Sequence, residues 1–463
     1  MSTHPLVDDL VRTFKAEGRI VIVGASLTGL RAAEALRDEG FTGSLTIIGD
    51  EVHEPYDRPP LSKQVLKGWV PAGNTKLPRL RAIDADWRLG VAATRLDRDN
   101  REVLLANGDK VPYDRLLIAT GVRSRAWFNP EEAKLKGLFT IRTSDDAGRL
   151  QAALAAKPER VLIVGAGFIG SEMASVCREL GLNVTVAERG AGPLIGPLGG
   201  VLSRVARDMQ LDAGVDLRTG VAVEKLIGDD AGHVRQAKLS DGASLDVDVV
   251  VASLGSIRNV EWLEGAGLAS GFWGVGCDAG CRAFDVNGVV TDSIFVAGDI
   301  ARLPQVLYGY QFISIEHWEN AVVGAQMAGR NMVRLEPERL PYLPLPRYWS
   351  GQFGVNIRGV GLPSYGNEMI ITQGSLKERR FAAAFGKHGR IVGAVTFNNG
   401  KFLEYYEKLI MKSAPFPPAA AGYDVPEGSK VISPEFGDPR AATALPTVVL
   451  TGVDPTARGA EFT

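Results

Sequence analysis

Two glycine-rich turns, each directly after a short apolar strand, constrain this chain more than any other feature. The first lies within Ile20–Gly29 and the second within Val161–Gly170. A helix-like stretch and a second strand that ends in acid follow each turn. In such a unit the first glycine lets the chain reverse, the second lets the backbone approach a pyrophosphate, and the third lets helix and strand pack closely. The pattern predicts two βαβ units that each hold a dinucleotide at a helix N-terminus.

The acids after the second strands indicate which dinucleotides fit. Asp50 or Glu51 follows the first unit and Glu188 follows the second, where a ribose 2′-OH is expected. A carboxylate accepts a hydrogen bond from that hydroxyl and repels a 2′-phosphate, so the second site is expected to prefer NADH to NADPH. The adjacent Arg189 weakens this preference. Two dinucleotides that face each other indicate electron transfer between them.

Composition excludes several classes of function. The chain has 463 residues and a net charge of −2, so no overall field favours nucleic acid or anionic lipid. No stretch of about 18 apolar residues is present, so no membrane span is expected. Residues 1–18 carry three acids and resemble neither a secretion signal nor a transit peptide. Three cysteines are too few for a disulfide scaffold, which favours a cytoplasmic location.

The predicted fold class is α/β, with two Rossmann-like nucleotide-binding domains and an α+β C-terminal domain. A leader over residues 1–18 precedes the first nucleotide-binding domain, which takes residues 19–127 and 257–334. Residues 128–256 form the second, and residues 335–412 form the C-terminal domain. The Pro- and Ala-rich tail over residues 413–463 is expected to form an extended arm or flexible end with little regular structure.

A family resemblance rests on several specific segments. The loop Tyr56–Lys63, of sequence Tyr-Asp-Arg-Pro-Pro-Leu-Ser-Lys, resembles the signature loop of bacterial FAD-dependent ferredoxin reductases of the putidaredoxin-reductase type. These belong to the glutathione-reductase-like flavoproteins. Further matches lie at 119–121, 167–172, 297–299, 316–321 and 348–352.

The resemblance implies FAD in the first unit and NADH in the second. It implies hydride transfer to the flavin and single-electron delivery to an iron–sulfur ferredoxin that serves a monooxygenase or dioxygenase. The partner is thus a transient ferredoxin, with no nucleic acid or membrane partner, and the chain is expected to be a monomer or homodimer.

Carried over residue by residue, the resemblance also implies the site. The two catalytic positions are Lys63, near the reactive edge of the flavin, and Glu172, on the other side of the ring and close enough to pair with it. The cofactor-binding positions are Gly24, Ser26, Thr28, Gly29, Asp50, Glu51, Arg58, Lys63, Ala93, Ala119, Thr120, Gly121, Arg142, Gly165, Gly167, Ile169, Gly170, Glu172, Glu188, Gly255, Gly298, Asp299, Glu316, His317 and Trp318.

Some of these positions have stated roles. Asp299 is expected to hold the ribityl chain and Trp318 to lie by the pyrimidine end of the ring. Ala93 is expected to give a backbone contact to adenine, and Arg142 a further FAD contact. Ser314 stands where many relatives have arginine.

Plainer interpretations stand beside these roles. Lys63 fits a solvated loop lysine, Glu172 a first-turn acid that answers the helix dipole, and Asp299 a helix cap. A tryptophan at helical spacing, such as Trp318, is often core, and His317 fits a structural role.

The cysteines weigh against a second enzyme class. A disulfide-reducing flavoprotein carries a redox pair early in the chain, yet no cysteine precedes Cys177. Cys277 and Cys281 do not have metal-site spacing, so no metal is expected. The alternatives are an NADH oxidase or another pyridine-nucleotide-disulfide-type reductase without a ferredoxin partner, and a flavin-bearing signalling protein.

Overall fold

The computed structural model describes residues 5–419 and 424–436, and its first part forms a parallel sheet around the first glycine turn. The elements are α1 (Pro5–Glu17), β1 (Arg19–Val23), α2 (Leu27–Asp38), β2 (Ser44–Ile48), β3 (Asp86–Arg88), β4 (Ala93–Asp97), β5 (Glu102–Leu105), β6 (Lys110–Pro112), β7 (Arg115–Ile118) and β8 (Val122–Ser124). The expected leader thus contains a helix. Phe14 of α1 packs against the buried core beside Phe41 and beneath the Arg115 guanidinium.

The second part repeats the pattern around the second glycine turn. Its elements are β9 (Leu138–Phe139), α3 (Ser144–Ala155), β10 (Arg160–Val164), α4 (Phe168–Glu179), β11 (Asn183–Glu188), α5 (Ile195–Asp212), β12 (Asp216–Thr219), β13 (Val223–Gly228), β14 (Val234–Leu239), β15 (Ser244–Asp246) and β16 (Val249–Ala252). A parallel sheet forms in the order β12-β11-β10-β16-β9. Its central strands are buried, as the apolar runs of a covered parallel sheet require.

The chain then returns to the first sheet. The elements are β17 (Ser256–Arg258), β18 (Ser270–Gly271), β19 (Gly274–Gly276), β20 (Arg282–Phe284), β21 (Val290–Val296), β22 (Ala301–Gln305), β23 (Gln311–Ser314) and α6 (Trp318–Asn331). β21 completes a six-stranded sheet in the order β20-β21-β7-β1-β2-β3. β8, before the second unit, and β17, after it, pair as a two-stranded antiparallel sheet at the point where the chain passes between the two units.

The C-terminal part is an antiparallel sheet with one helix. Its elements are β24 (Arg347–Gln352), β25 (Val355–Gly361), β26 (Glu368–Ser375), β27 (Arg380–Lys387), β28 (Arg390–Phe397) and α7 (Leu403–Met411). The strand order is β24-β25-β28-β27-β26, and α7 buries Tyr406 and Ile410. The predicted α/β class, with two nucleotide-binding units and an α+β end, is confirmed.

Residues 424–436, here called the strap, follow an extended path between two domains. The Gly374 amide donates to the Asp424 carbonyl at 2.7 Å, and Met369 pairs with Ile432. At the other end, the Glu435 carboxylate accepts from Arg204 Nη1 at 2.6 Å, and its carbonyl accepts from the Gly200 amide. The strap therefore ties β26 to α5. Of the predicted tail over residues 413–463, residues 413–419 are also described, whereas 420–423 and 437–463 lie outside the described residues.

Candidate functional site

The first glycine turn admits no side chain at its two glycines. Gly24 has a φ of +127°, and a Cβ there would lie 2.1 Å from the Ala119 carbonyl oxygen. A Cβ at Gly29 would lie 2.1 Å from the Gly24 carbonyl oxygen. Between them Ser26 is the N-cap of α2, and its hydroxyl forms no capping bond. The helix N-terminus is thus bare, with amides that are free to hold a phosphate.

The second turn has the same geometry. Gly165 has a φ of +100°, and a Cβ there would lie 2.4 Å from the Ser253 carbonyl oxygen. A Cβ at Gly170 would lie 2.0 Å from the Gly165 carbonyl oxygen, whereas one at Gly167 meets no atom within 4 Å. The three glycines therefore have the different surroundings that were predicted. Gly165 and Gly170 lie in close contact with backbone carbonyls, whereas Gly167 faces open space beside Ile169, which is 43% exposed. A dinucleotide pyrophosphate fits this cradle.

The acid of the second unit reaches its turn directly. Glu188 Oε2 accepts from the Ala166 amide at 2.7 Å, and Oε1 accepts from the Gly190 amide at 2.6 Å. This position at the end of β11, beside the turn, is the one expected of a ribose ligand.

The first unit differs by one residue. In the sheet register Val164 pairs with Ala187 and Val23 pairs with Ile48, so Gly49 occupies the place that corresponds to Glu188. A Cβ at Gly49 would lie 2.6 Å from the Ala25 Cβ, which explains the glycine. Asp50, one residue later, is exposed.

Glu51 belongs to a different group of side chains. Its carboxylate accepts from the Tyr56 hydroxyl and from Arg58 Nη2, both at 2.5 Å. Arg58 Nη1 also donates to the Arg142 carbonyl at 2.7 Å. Burial raises the pKa of Tyr56 and the charge of Arg58 offsets part of that rise, so the Tyr56 hydroxyl stays protonated at neutral pH. Glu51 therefore anchors the signature loop, and Asp50 is the acid left for a ribose.

Asp299 lies shortly after β21, beside α2 and the Arg142 side chain. Gly298 has a φ of +78°, and a Cβ there would lie 2.5 Å from Thr28 Oγ1, so the turn that carries Asp299 sits against α2. Arg142 Nη2 donates to Asp299 Oδ2 at 3.2 Å. Burial raises the pKa of Asp299, and the charge of Arg142 offsets part of that rise. A partly buried carboxylate at this point can accept hydrogen bonds from hydroxyl groups.

The turn of small residues after β7, residues 119–121, is held by two hydrogen bonds to Asn259. Thr120 Oγ1 donates to the Asn259 carbonyl and Asn259 Nδ2 donates to the Thr120 carbonyl, both at 2.8 Å. Gly121 and Gly255 have φ values of +60° and +87°, which glycine adopts without strain. Ala93 begins β4, two residues after Val91, whose amide donates to the Gly49 carbonyl.

Lys63 and Glu172 form an ion pair between the signature loop and α4. Lys63 Nζ lies 2.6 Å from Glu172 Oε2, and the two side chains are 22% and 3% exposed. Ser62 Oγ donates to the same oxygen at 2.8 Å. Glu172 is the fifth residue of α4, past its first turn, so the dipole interpretation loses its geometric basis. Lys63 is likewise not a freely solvated lysine.

Glu316 and His317 precede α6 and have different environments. Glu316 Oε1 accepts from Arg258 Nη2 and Oε2 accepts from the Ser256 hydroxyl, both at 2.6 Å. Burial lowers the pKa of His317 to about 4, so its ring is neutral at pH 7. The ring packs on Tyr348, which fits the structural role expected of it.

Trp318 begins α6 and is 36% exposed. Its Nε1 donates to Asp57 Oδ1 at 2.8 Å, and its ring meets that of Trp349 edge-on at 6.3 Å between centroids. Trp318 therefore links the signature loop to the C-terminal domain at the surface and is not a core residue.

Several side chains at these positions were not singled out from the sequence. They are Asp57, Ser62, Arg258, Asn259 and Ser350. Asp57, Ser62 and Ser350 stand inside segments that carry the family resemblance. Arg258 and Asn259 gave no sequence signal, because their partners lie far away in the chain.

The cysteines form no redox pair in the structure. Cys177, Cys277 and Cys281 are buried and free. Burial raises the pKa of the Cys177 thiol to about 12, so it stays protonated. In residues 5–419 and 424–436, no cluster of His, Cys, Asp or Glu could hold a metal ion. Within the same ranges, no helix is long and apolar enough to cross a membrane.

Comparison with known proteins agrees with this geometry. Residues 18–328 match the family described as pyridine nucleotide-disulphide oxidoreductase, and residues 347–425 match the domain described as reductase C-terminal. The chain is similar to the ferredoxin reductase for the CYP199A2 system from Rhodopseudomonas palustris, with a TM-score of 0.79 and 29% identity over 88% of this chain and 98% of that one.

Two further solved structures are similar over most of their length. One is a covalent putidaredoxin reductase–putidaredoxin complex, with a TM-score of 0.78 and 28% identity over 86% of this chain and 94% of that one. The other is Fdr9, with a TM-score of 0.75 and 32% identity over 87% of this chain and 97% of that one. These matches confirm the predicted family, the flavoprotein oxidoreductase class and the FAD and NAD(H) cofactors. The chain therefore belongs to the pyridine nucleotide-disulphide oxidoreductases and, within them, to the ferredoxin reductases.

Proposed function

We propose that this protein is an NADH:ferredoxin oxidoreductase whose ferredoxin serves a monooxygenase or dioxygenase. The observation that carries the proposal is the partly buried Lys63–Glu172 pair, in a chain whose two glycine turns have matching geometry. Similarity to a reductase seen in covalent complex with putidaredoxin supports an iron–sulfur partner.

The proposed FAD domain takes residues 19–127 and 257–334, and the proposed NADH domain takes residues 128–256. FAD, when bound, would accept a hydride from NADH and pass single electrons to the partner. The first glycine turn and Asp50 would hold the pyrophosphate and ribose of FAD. Arg142 and Asp299 would hold the chain that leads to its ring.

The assignment of the NADH side rests on Gly167, Glu188 and Lys63. Gly167 leaves room for the pyrophosphate, and Glu188 would accept from the ribose hydroxyls. The ammonium of Lys63, fixed by Glu172, would stabilise negative charge near the ring. Because the cysteines are buried and free, no side chain of the structure supplies disulfide chemistry, and the disulfide-reductase alternative is not favoured.

Lys63→Met tests the assigned charge. Flavin reduction by NADH, followed anaerobically by flavin bleaching, is expected to slow at least about tenfold, with FAD content unchanged. Lys67→Met is the matched control, because Lys67 lies four residues after Lys63 but pairs with Glu179 and not with Glu172. A wild-type rate in Lys63→Met would remove this lysine from the site.

The acceptor is tested with putidaredoxin as the probe. NADH-dependent reduction of putidaredoxin is compared with oxygen consumption by the same purified protein. Fast ferredoxin reduction with slow oxygen consumption is expected. Negligible ferredoxin reduction beside fast oxygen consumption would favour an NADH oxidase.

A further inference from the structure

We infer that Ser350 and Gln352 of β24 are positioning residues that hold the Glu172 carboxylate, so that the C-terminal domain helps to set the charge beside the flavin site. This inference rests on the proposed function, because it assigns to Lys63 and Glu172 the role given there. Neither Ser350 nor Gln352 is among the cofactor-binding or catalytic positions predicted above.

The first observation is the division of donors between the two carboxylate oxygens. Oε2 of Glu172 receives Lys63 Nζ at 2.6 Å and the Ser62 hydroxyl at 2.8 Å. Oε1 accepts from the Ser350 hydroxyl at 2.6 Å. The loop of the first domain thus supplies the donors to one oxygen, and the C-terminal domain supplies the donor to the other. Three domains meet at a single carboxylate.

The second observation fixes the direction of the hydroxyl proton. Gln352 Nε2 donates to Ser350 Oγ at 3.0 Å, so this oxygen already acts as an acceptor. A serine hydroxyl has one proton, and the Glu172 carboxylate is the strong acceptor within reach. The order is therefore Gln352 amide to Ser350 oxygen, and Ser350 proton to Glu172.

The third observation is burial. Ser350 and Gln352 are 0% and 3% exposed, and the Glu172 side chain is 3% exposed. Water therefore has little access to replace a lost donor at Oε1. Removal of one donor from a buried charged acceptor costs more than removal of a solvated one.

The strand is also fixed onto the helix that carries Glu172. The Phe353 amide donates to the Ser175 hydroxyl at 2.7 Å. Ser175 lies three residues after Glu172 on one face of α4. Two hydrogen bonds therefore connect the end of β24 to α4, one of them to Glu172 itself.

β24 has a second, outward face. Successive strand residues point to opposite sides, so Trp349 lies away from Ser350. Trp349 is 46% exposed and contacts the Trp318 ring. Two consecutive residues, Trp349 and Ser350, thus provide a surface tryptophan and the donor to Glu172.

Ser350→Ala is the test, compared with Ser350→Thr, Glu172→Gln and the double variant Ser350→Ala/Glu172→Gln. In Ser350→Ala, anaerobic flavin reduction at saturating NADH is expected to fall about tenfold, with the KM for NADH changed less than about twofold. The midpoint potential of the bound flavin is expected to shift in the same direction as in Glu172→Gln. Ser350→Thr should restore both quantities, because it keeps the hydroxyl.

The double variant shows whether Ser350 affects the flavin through Glu172 or only through packing of the protein interior. If Ser350 acts through Glu172, Ser350→Ala adds no further change in rate or potential to Glu172→Gln. Thr396→Val is the matched control, since Thr396 is a fully buried hydroxyl in the same sheet that bonds the Arg358 carbonyl. It should leave rate and potential at wild-type values.

Gln352→Met provides a second variant in case Ser350→Ala does not fold, with an expected loss of about threefold. Wild-type rate and potential in the Ser350 variant, or in Gln352→Met if that is the one obtained, would overturn the inference. Additive effects in the double variant would do so as well. If wild-type protein itself is not reduced by NADH, the proposed function fails, which is a different result.

Discussion

The two glycine turns share one backbone design but differ in what surrounds them. In both, the first glycine lies against a carbonyl oxygen that follows a neighbouring strand, and the last glycine lies against the carbonyl oxygen of the first, so their geometry belongs to the fold. Around the first turn, Arg58, Arg142 and Asp299 converge from distant segments. Around the second, Glu188 and the open space at Gly167 are the main features. This difference is the one we expect if the first turn holds a resident cofactor through many groups and the second holds a dinucleotide that enters and leaves in every turnover.

Gly24→Ala should have the largest effect on this comparison. The added methyl would lie 2.1 Å from the Ala119 carbonyl at a φ that alanine rarely adopts. We expect loss of bound FAD and destabilisation by about 3 kcal/mol or more. The ratio of flavin to protein absorbance and the melting temperature measure both. Gly73→Ala, at a site with no atom within 4 Å, should be unaffected.

Glu188→Ala should have the next largest effect, and on the second cradle alone. The exposed Arg189 then remains as the neighbouring cation, which suits a 2′-phosphate. The ratio of kcat/KM for NADH to that for NADPH should fall at least about tenfold. Arg189→Ala is the control and should not lower this ratio. An unchanged ratio in Glu188→Ala would contradict the assigned ribose contact.

Gly167→Ala should act more weakly. Its Cβ meets no protein atom, so the fold should tolerate it and FAD should stay bound. The methyl would crowd the space assigned to the pyrophosphate, and the KM for NADH should rise about fivefold. Steady-state kinetics with varied NADH measure this. A KM equal to that of wild type would place the pyrophosphate elsewhere.

Asp50→Asn should have the smallest effect. Asp50 is one contact among many in the first cradle, so the FAD dissociation constant should rise only about threefold. Flavin release followed by fluorescence measures it, with Asp241→Asn, an exposed acid between β14 and β15 in the second unit, as the control. A loss as large as that of Gly24→Ala would mean that the first cradle depends on its acid and would break the comparison.

The sequence predicted the parts of the site that depend on local geometry. The glycine spacing indicated both turns, because close packing of strand and helix excludes a Cβ at fixed positions. The helix α1 was missed, because its stability comes from Phe14 packing on a distant strand.

Contacts between distant segments could not be predicted in this way. The pairing of Arg258 with Glu316 joins residues 58 positions apart, and that of Ser350 with Glu172 joins residues 178 positions apart. No local propensity encodes either pair. The choice between Asp50 and Glu51 likewise needed the sheet register and the Tyr56–Arg58 contacts, which only the folded chain provides.

The strap has a consequence for how the molecule behaves in concentrated solution. β26 is the outermost strand of the C-terminal sheet, and its Met369 amide and carbonyl are both satisfied by Ile432. A bare outer strand offers unpaired backbone groups to any other polypeptide and promotes aggregation. A version shortened before residue 424 would expose that strand, so the last described segment contributes to keeping neighbouring copies apart.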